Sequence, residues 1–225
     1  MPKMLYRKVF FMKNKKRKLL CAALITLGAF VAWTLLVCFV DVEAIGPQGS
    51  SVGFAALNQF VHGATGVNMT LYVITDWLGL VPIFTALAFA VLGLCQWISR
   101  RSILRVDHSI LALGVFYLAV MAAYVFFEFA VINYRPVLIG GVLEASYPSS
   151  TTLLTLCVMP TAAIQLRERI KKGAFRHALT LAIWGFTAFM LAARLLSGVH
   201  WVTDIIGGVL LSASLVFAYA CAADQ

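Results

Sequence analysis

A chain of 225 residues that is 62% hydrophobic and only 12% charged carries about half the charge of a soluble domain of that size, which excludes an ordinary water-soluble globule. Its formal net charge of +9 is gathered into short segments between apolar runs. The charge therefore reads as a membrane topology signal and gives no support to a nucleic-acid partner.

A helix rising about 1.5 Å per residue needs roughly 20 apolar residues to cross a bilayer core. Six runs reach that length, over about 19–40, 71–98, 108–132, 148–166, 178–196 and 200–221. Residues 1–18, with Lys3, Arg7, Lys8, Lys13, Lys15, Lys16, Arg17 and Lys18, precede the first run as a basic cytoplasmic N-terminus. Residues 19–225 then form a single six-span membrane domain. The first run is longer than the 7–15 residue core of a signal peptide, so it reads as an uncleaved anchor. After it, residues 41–70 hold a turn around Gly46-Pro47 and then Phe54, Leu57, Phe60 and Val61 at helical spacing. This pattern predicts a short amphipathic helix on the external interface, with His62 as an interfacial polar residue. Asp76 is expected near the start of the second span, where a negative charge suits the helix dipole.

Arg100, Arg101 and Arg105 follow the second span, and Arg167, Arg169, Lys171, Lys172 and Arg176 follow the fourth. With the N-terminal segment they account for 16 of the 18 Lys and Arg, all on one side if six helices alternate in direction. The positive-inside rule makes that side the cytoplasm and puts both termini there. The fold class is therefore all-α: a six-transmembrane-helix bundle with a short external amphipathic helix between the first and second spans. Cys21, Cys38, Cys95, Cys157 and Cys221 lie in or beside the spans without metal-type spacing and read as packing residues, with neither metal nor cofactor implied.

The two remaining arginines, Arg135 and Arg194, lie on the external side among three polar clusters. Glu128, Asn133, Tyr134 and Arg135-Pro136 end the third span; Tyr147-Pro148-Ser149-Ser150-Thr151-Thr152 opens the fourth; Arg194, Ser197, His200 and Asp204 straddle the fifth joint. Arginine offers a planar fork of donors that suits phosphate oxygens. A helix beginning near Pro148 presents free backbone N–H groups and hydroxyls to an anion. His200 and Asp204 are four apart, so a helix stacks them, and the carboxylate can fix one imidazole tautomer while the other nitrogen attacks. Each cluster alone has a structural explanation as a surface pair, a snorkelling anchor or a helix start. Together, and all external, they describe a phosphate site. A transporter is disfavoured by the scarcity of ionisable residues at mid-span.

In these residues the chain resembles the type 2 phosphatidic acid phosphatase superfamily, membrane lipid phosphatases that share a core with vanadium haloperoxidases. Arg135-Pro136 matches the end of that family's first signature, Pro148-Ser149 the start of its second, and Arg194, His200 and Asp204 its third with spacing intact. The resemblance implies a metal-free reaction through a phospho-histidine on His200, oriented by Asp204, with Arg135, Arg194, Ser149, Ser150 and Thr151 around the phosphate. The chain departs from the pattern in that Glu128 stands for a Lys, Ser150 for a Gly, Thr151 for a His and Ala193 for a Ser. The absent His is the family's proton donor, and such help is worth about 10² to 10⁴ in rate. Two readings follow. In one, Glu128 becomes the acid of a lipid-phosphate phosphatase, its carboxyl kept protonated in a buried site beside the phosphate. In the other, turnover is lost and the chain binds or senses a lipid phosphate headgroup. The membrane is a bacterial plasma membrane on this reading, with the site facing outside.

Overall fold

A computed structural model describes residues 2–223, with side chains from residue 13 onward. Met1, residues 224–225 and the side chains of Lys3, Arg7 and Lys8 lie outside that description, and with them the two ends assigned to the cytoplasm.

The described residues form eight α-helices: α1 (Pro2–Phe39), α2 (Ala55–Thr65), α3 (Met69–Leu78), α4 (Leu80–Arg100), α5 (His108–Phe129), α6 (Ser150–Arg169), α7 (Ala174–Leu196) and α8 (Val202–Ala223). Helix α1 runs without a break from the basic N-terminal segment into the first apolar run. Five stretches are long and apolar enough to cross a membrane: Lys13–Phe39, Met69–Arg100, His108–Phe129, Ala174–Leu196 and Val202–Ala223. The chain is thus a multi-pass helical membrane protein.

The expected fourth span, 148–166, is the exception. It forms α6, but α6 does not reach that apolarity. The reason is its place: it packs against α4, α5, α7 and α8, and more than half of its residues are buried, Thr152, Thr155, Thr161 and Gln165 among them. A helix enclosed by protein does not face lipid, so its polar groups can be met inside the bundle. Gln165 does so through the Tyr219 hydroxyl of α8.

The second run, expected to be continuous over 71–98, divides into α3 and α4. Pro82 has no N–H to return to the carbonyl of Leu78, and its ring crowds that turn, so the helix breaks at Gly79. Asp76 consequently sits at the end of α3 rather than at the start of a helix.

Helix α2 forms where amphipathic spacing predicted it. It buries Ala55 and Asn58 against α8, and presents Leu57 and Phe60 outward, Phe60 being 76% exposed. Phe54 leaves the apolar row and stacks on Trp33 at 5.1 Å. Helix α1 packs along α8, fastened by Ser214 Oγ to the Ala23 carbonyl at 3.0 Å and by Trp33 Nε1 to the Thr203 carbonyl at 3.1 Å. Among the cysteines only Cys157 is buried; Cys21 and Cys95 are exposed, so the expected packing role holds in the core for Cys157 alone.

Candidate active site

The site is assembled from three connections that meet at one end of the bundle. Between α5 and α6 the chain turns back on itself, pairing Tyr134 with Ala145 and Ile139 with Val142. Gly140 and Gly141 both take positive φ at its tip, as a tight reversal requires. The Arg135 N–H donates to the Glu144 carbonyl at 3.0 Å and the Ser146 N–H to Asn133 at 2.9 Å. This pairing holds the Arg135 side chain over the joint between α7 and α8.

That joint carries His200, and Asp204 follows in the first turn of α8. The Asp204 carboxylate is fully buried and accepts three bonds: Ser146 Oγ at 2.6 Å, the Trp201 N–H at 2.9 Å and Asn133 Nδ2 at 3.2 Å. The second of these partners belongs to α8's own cap, and the other two come from the folded loop. The Ser149 N–H donates to the Asp204 carbonyl at 3.1 Å, which ties the start of α6 to the same turn.

His200 Nε2 lies 3.2 Å from Arg135 Nη1. A guanidinium only donates, so Nε2 is the acceptor and Nδ1 carries the proton. Nδ1 faces Asp204 Oδ2 at 3.7 Å, beyond hydrogen-bond length and without another partner. The oxygen it faces is already engaged by Ser146 and Trp201. Burial pushes the imidazole down to about 4, opposed by Asp204 and reinforced by the charges of Arg135 and Arg194, so His200 is neutral at pH 7.

Arg194, 2% exposed, is held from α3. Its Nη1 donates to Thr75 Oγ1 at 3.0 Å, Nη2 lies 3.9 Å from Asp76 Oδ1, and the guanidinium carbon sits 4.9 Å over the Tyr72 ring. Asp76, read from sequence as a helix-dipole residue, is instead an ion-pair partner of Arg194. His62 Nε2–H donates to the Gly198 carbonyl at 3.1 Å, bracing the joint from α2. Gly198 has φ +66, and a Cβ there would lie 1.9 Å from the Gly66 carbonyl oxygen, so glycine is required at that close crossing.

Several buried polar atoms here lack a hydrogen-bond partner: Arg135 Nε, Arg194 Nε, Ser149 Oγ and His200 Nδ1. Arg135 Nε is 2.9 Å from Glu144 Oε2 as an ion pair but is out of line for a bond. Leaving such groups unmet costs about 1–3 kcal/mol each. The Arg194 Nε–H, the ion-paired Arg135 Nε–H, a free hydroxyl and the open first turn of α6 form a set of donors suited to the oxygens of a tetrahedral anion. Ser149 precedes α6 without capping it, which leaves that turn available.

The expected residues are only partly brought together. Glu128, Ser150 and His200 line one pocket, with Ser146 and Tyr147. Glu128 is exposed, not buried as expected. Thr151 is half-buried in the first turn of α6 and does not line that pocket. Sequence reasoning placed Asn133 in a polar cluster without giving it a partner, and missed Ser146 and Thr75. For Thr75 a signal existed, since Tyr72, Thr75 and Asp76 fall on one helix face; Ser146 has none.

The described helices thus form a multi-pass membrane bundle with a buried arginine–histidine centre at one end. The chain belongs to the PAP2 superfamily, whose family model matches residues 82–225. Its fold is similar to the crystal structure of the first transmembrane PAP2-type phosphatidylglycerolphosphate phosphatase from Bacillus subtilis. The TM-score is 0.60 at 17% identity, over 88% of this chain and 94% of that one. No curated protein sequence matches the chain.

Proposed function

We propose that this protein is a lipid-phosphate phosphatase that hydrolyses a phosphoric monoester or a pyrophosphate through a phospho-histidine on His200. The observation that carries the reading is the contact of Arg135 with His200 Nε2 at 3.2 Å, beside the buried Asp204. Membership of the PAP2 superfamily supports it, as does the likeness in fold to a relative described as a phosphatidylglycerolphosphate phosphatase.

The arriving phosphate takes the place Arg135 holds at Nε2. Its oxygens take up the unmet N–H groups of Arg135 and Arg194, Ser149 Oγ and the first-turn N–H groups of Ser150 and Thr151. The Nε2 lone pair attacks phosphorus and the bond to the lipid oxygen breaks. Asp204 stabilises the imidazolium that forms, closing the 3.7 Å gap to Nδ1–H. Glu128, in its acid form beside the substrate phosphate, gives a proton to the leaving oxygen. Water then attacks the phospho-histidine, returning a proton to Glu128 and releasing phosphate. Thr151 has no proton to give at neutral pH, and a pyrophosphate substrate needs less acid help because its leaving group is more stable.

The substrate reaches the site from the bilayer, with α6 crossing as a sixth span among the five apolar ones and residues 19–225 acting as one membrane domain. The site then faces outside at the plasma membrane, with both termini in the cytoplasm. Purified protein in detergent is expected to release phosphate from one or more lipid phosphates, and His200→Ala to abolish release while leaving the thermal transition in place. Headgroup binding without release by the intact protein would favour the sensing role instead.

A further inference from the structure

Helices α4 and α5 meet at their basic ends, where the chain turns within seven residues from Arg101 to Asp107. Away from that turn they leave a groove of about 570 Å³, lined by Phe89, Gly93 and Trp97 on one side and Ile110, Gly114 and Leu118 on the other. Two glycines shape it. At Gly93 a Cβ would lie 3.0 Å from Ile110 Cγ2, so the helices touch there; at Gly114 a Cβ would meet nothing within 4 Å. The lining on α5 extends from Ile110 to Met121, a length of about 17 Å at 1.5 Å per residue. That is close to the depth of one leaflet, half of a core roughly 30 Å thick.

The mouth of the groove is cationic. Arg100 is engaged by Asp107 at 2.8 Å, and Asp107 is held further by Gln96 at 2.8 Å and Arg169 at 3.5 Å. Arg101 and Arg105 are exposed, with no charged partner among the described residues. Between them Leu104 is 89% exposed and Ile103 52% exposed. This turn therefore offers apolar tips and two free charges at the depth of a lipid headgroup.

We propose that the groove is a binding site for one anionic phospholipid, with an acyl chain between α4 and α5 and the phosphate against Arg101 and Arg105. Its leaflet is the one at the basic end of the bundle, opposite the His200 centre. The apolar lining makes hydrocarbon the occupant within a membrane, and the two unpaired arginines select a negative headgroup. The inference rests on the membrane-spanning reading of α4 and α5 and not on the phosphatase reading.

Native mass spectrometry of the full chain in mild detergent, titrated with phosphatidylglycerol or phosphatidylcholine, tests it. Phosphatidylglycerol is expected to bind more tightly. The double variant R101Q/R105Q is expected to lose roughly thirtyfold in that preference, from about 1 kcal/mol for each basic residue near an anionic surface. Gly114→Leu, which fills open space, is expected to lose retention of both lipids. Should Gly114→Leu fail to fold, the surface double variant still decides. Equal retention of the two lipids would overturn the site, as would phosphatidylglycerol retention unchanged in either variant. So would adducts that survive R101Q/R105Q but vanish in Arg135→Gln, because the lipid would then be a substrate held at the His200 centre.

Discussion

Arg135 Nη1 donates to His200 Nε2 across 3.2 Å, so the side chain proposed to bind phosphate stands on the nitrogen proposed to attack. The same guanidinium reaches Glu144 through Nε at 2.9 Å. Without phosphate the arginine is thus parked between a neutral acceptor and a carboxylate, and the anion has only to swing it from one ligand to another.

This double engagement requires a planar fork. Arg135→Lys supplies the charge but cannot span both partners. It is expected to lose about 10² to 10³ in kcat/KM, the scale seen when one preorganised donor to a developing oxyanion is removed. Arg135→Gln should lose at least as much. Steady-state phosphate release with a soluble short-chain lipid phosphate reads the difference, and a lysine variant within threefold of the parent would remove Arg135 from the phosphate shell.

In the proposed mechanism the depressed His200 sets the acid limb of activity. A group whose neutral form is favoured stays a nucleophile until the pH falls through its lowered value, here about 4. The kcat/KM profile of the free enzyme should therefore stay flat on the acid side through the usual histidine range near 6.5 and fall only well below it. Because the Arg135 charge helps to hold the imidazole neutral, Arg135→Gln should move that limb upward. A parent limb at 6.5 would show that His200 is more hydrated than its burial indicates.

Glu128 lines the pocket with His200 and Ser150, and in the proposed cycle it alternates between acid and base. Glu128→Gln is expected to slow turnover by about 10² to 10⁴. The loss should be smaller for a pyrophosphate lipid than for a monoester, since the better leaving group needs less protonation. Equal losses on the two substrates would move the proton donor elsewhere.

A structural prediction concerns α8. A Cβ on Gly207 would lie 2.6 Å from Tyr147 Cε2, and Tyr147 is buried, with its hydroxyl 2.7 Å from Thr34 Oγ1 on α1. Gly207→Ala overpacks this seam, a change that costs about 1–3 kcal/mol. For a chain of this size that lowers Tm by roughly 2–12 °C, measurable by thermal unfolding in detergent. Combining it with Tyr147→Leu should recover part of the loss, because the clash is with the ring.

Hydropathy located most of the helices because lipid-facing segments are written in composition. The runs expected at 178–196 and 200–221 end within a few residues of α7 (Ala174–Leu196) and α8 (Val202–Ala223). It did not see the break at Gly79, since Pro82 scores as an acceptable apolar residue while removing a helix bond. It also credited α6 with a lipid-facing character that an enclosed helix does not need. In the site, the pairing of His200 with Asp204 was legible from their four-residue spacing, although His200 lies on the joint before α8 and only Asp204 is in its first turn. Ser146 and Asn133 were not: they reach Asp204 from 58 and 71 positions away, through a reversal whose pairing carries no periodic signal. Glu128 was expected in a buried setting, but its exposure at the rim of the pocket follows from how α5 is rotated in the bundle, which spacing alone does not fix.

The seam between α1 and α8 bears on how the chain is made. Helices leave the ribosome in order, so α1 waits in the bilayer with Trp33 Nε1 lacking the Thr203 carbonyl that it later meets. The helix that ends this wait is also the one that begins beside His200 and contains Asp204. Docking of the earliest helix and completion of the proposed centre are therefore one event, and a half-synthesised chain holds no part-built version of it in the membrane.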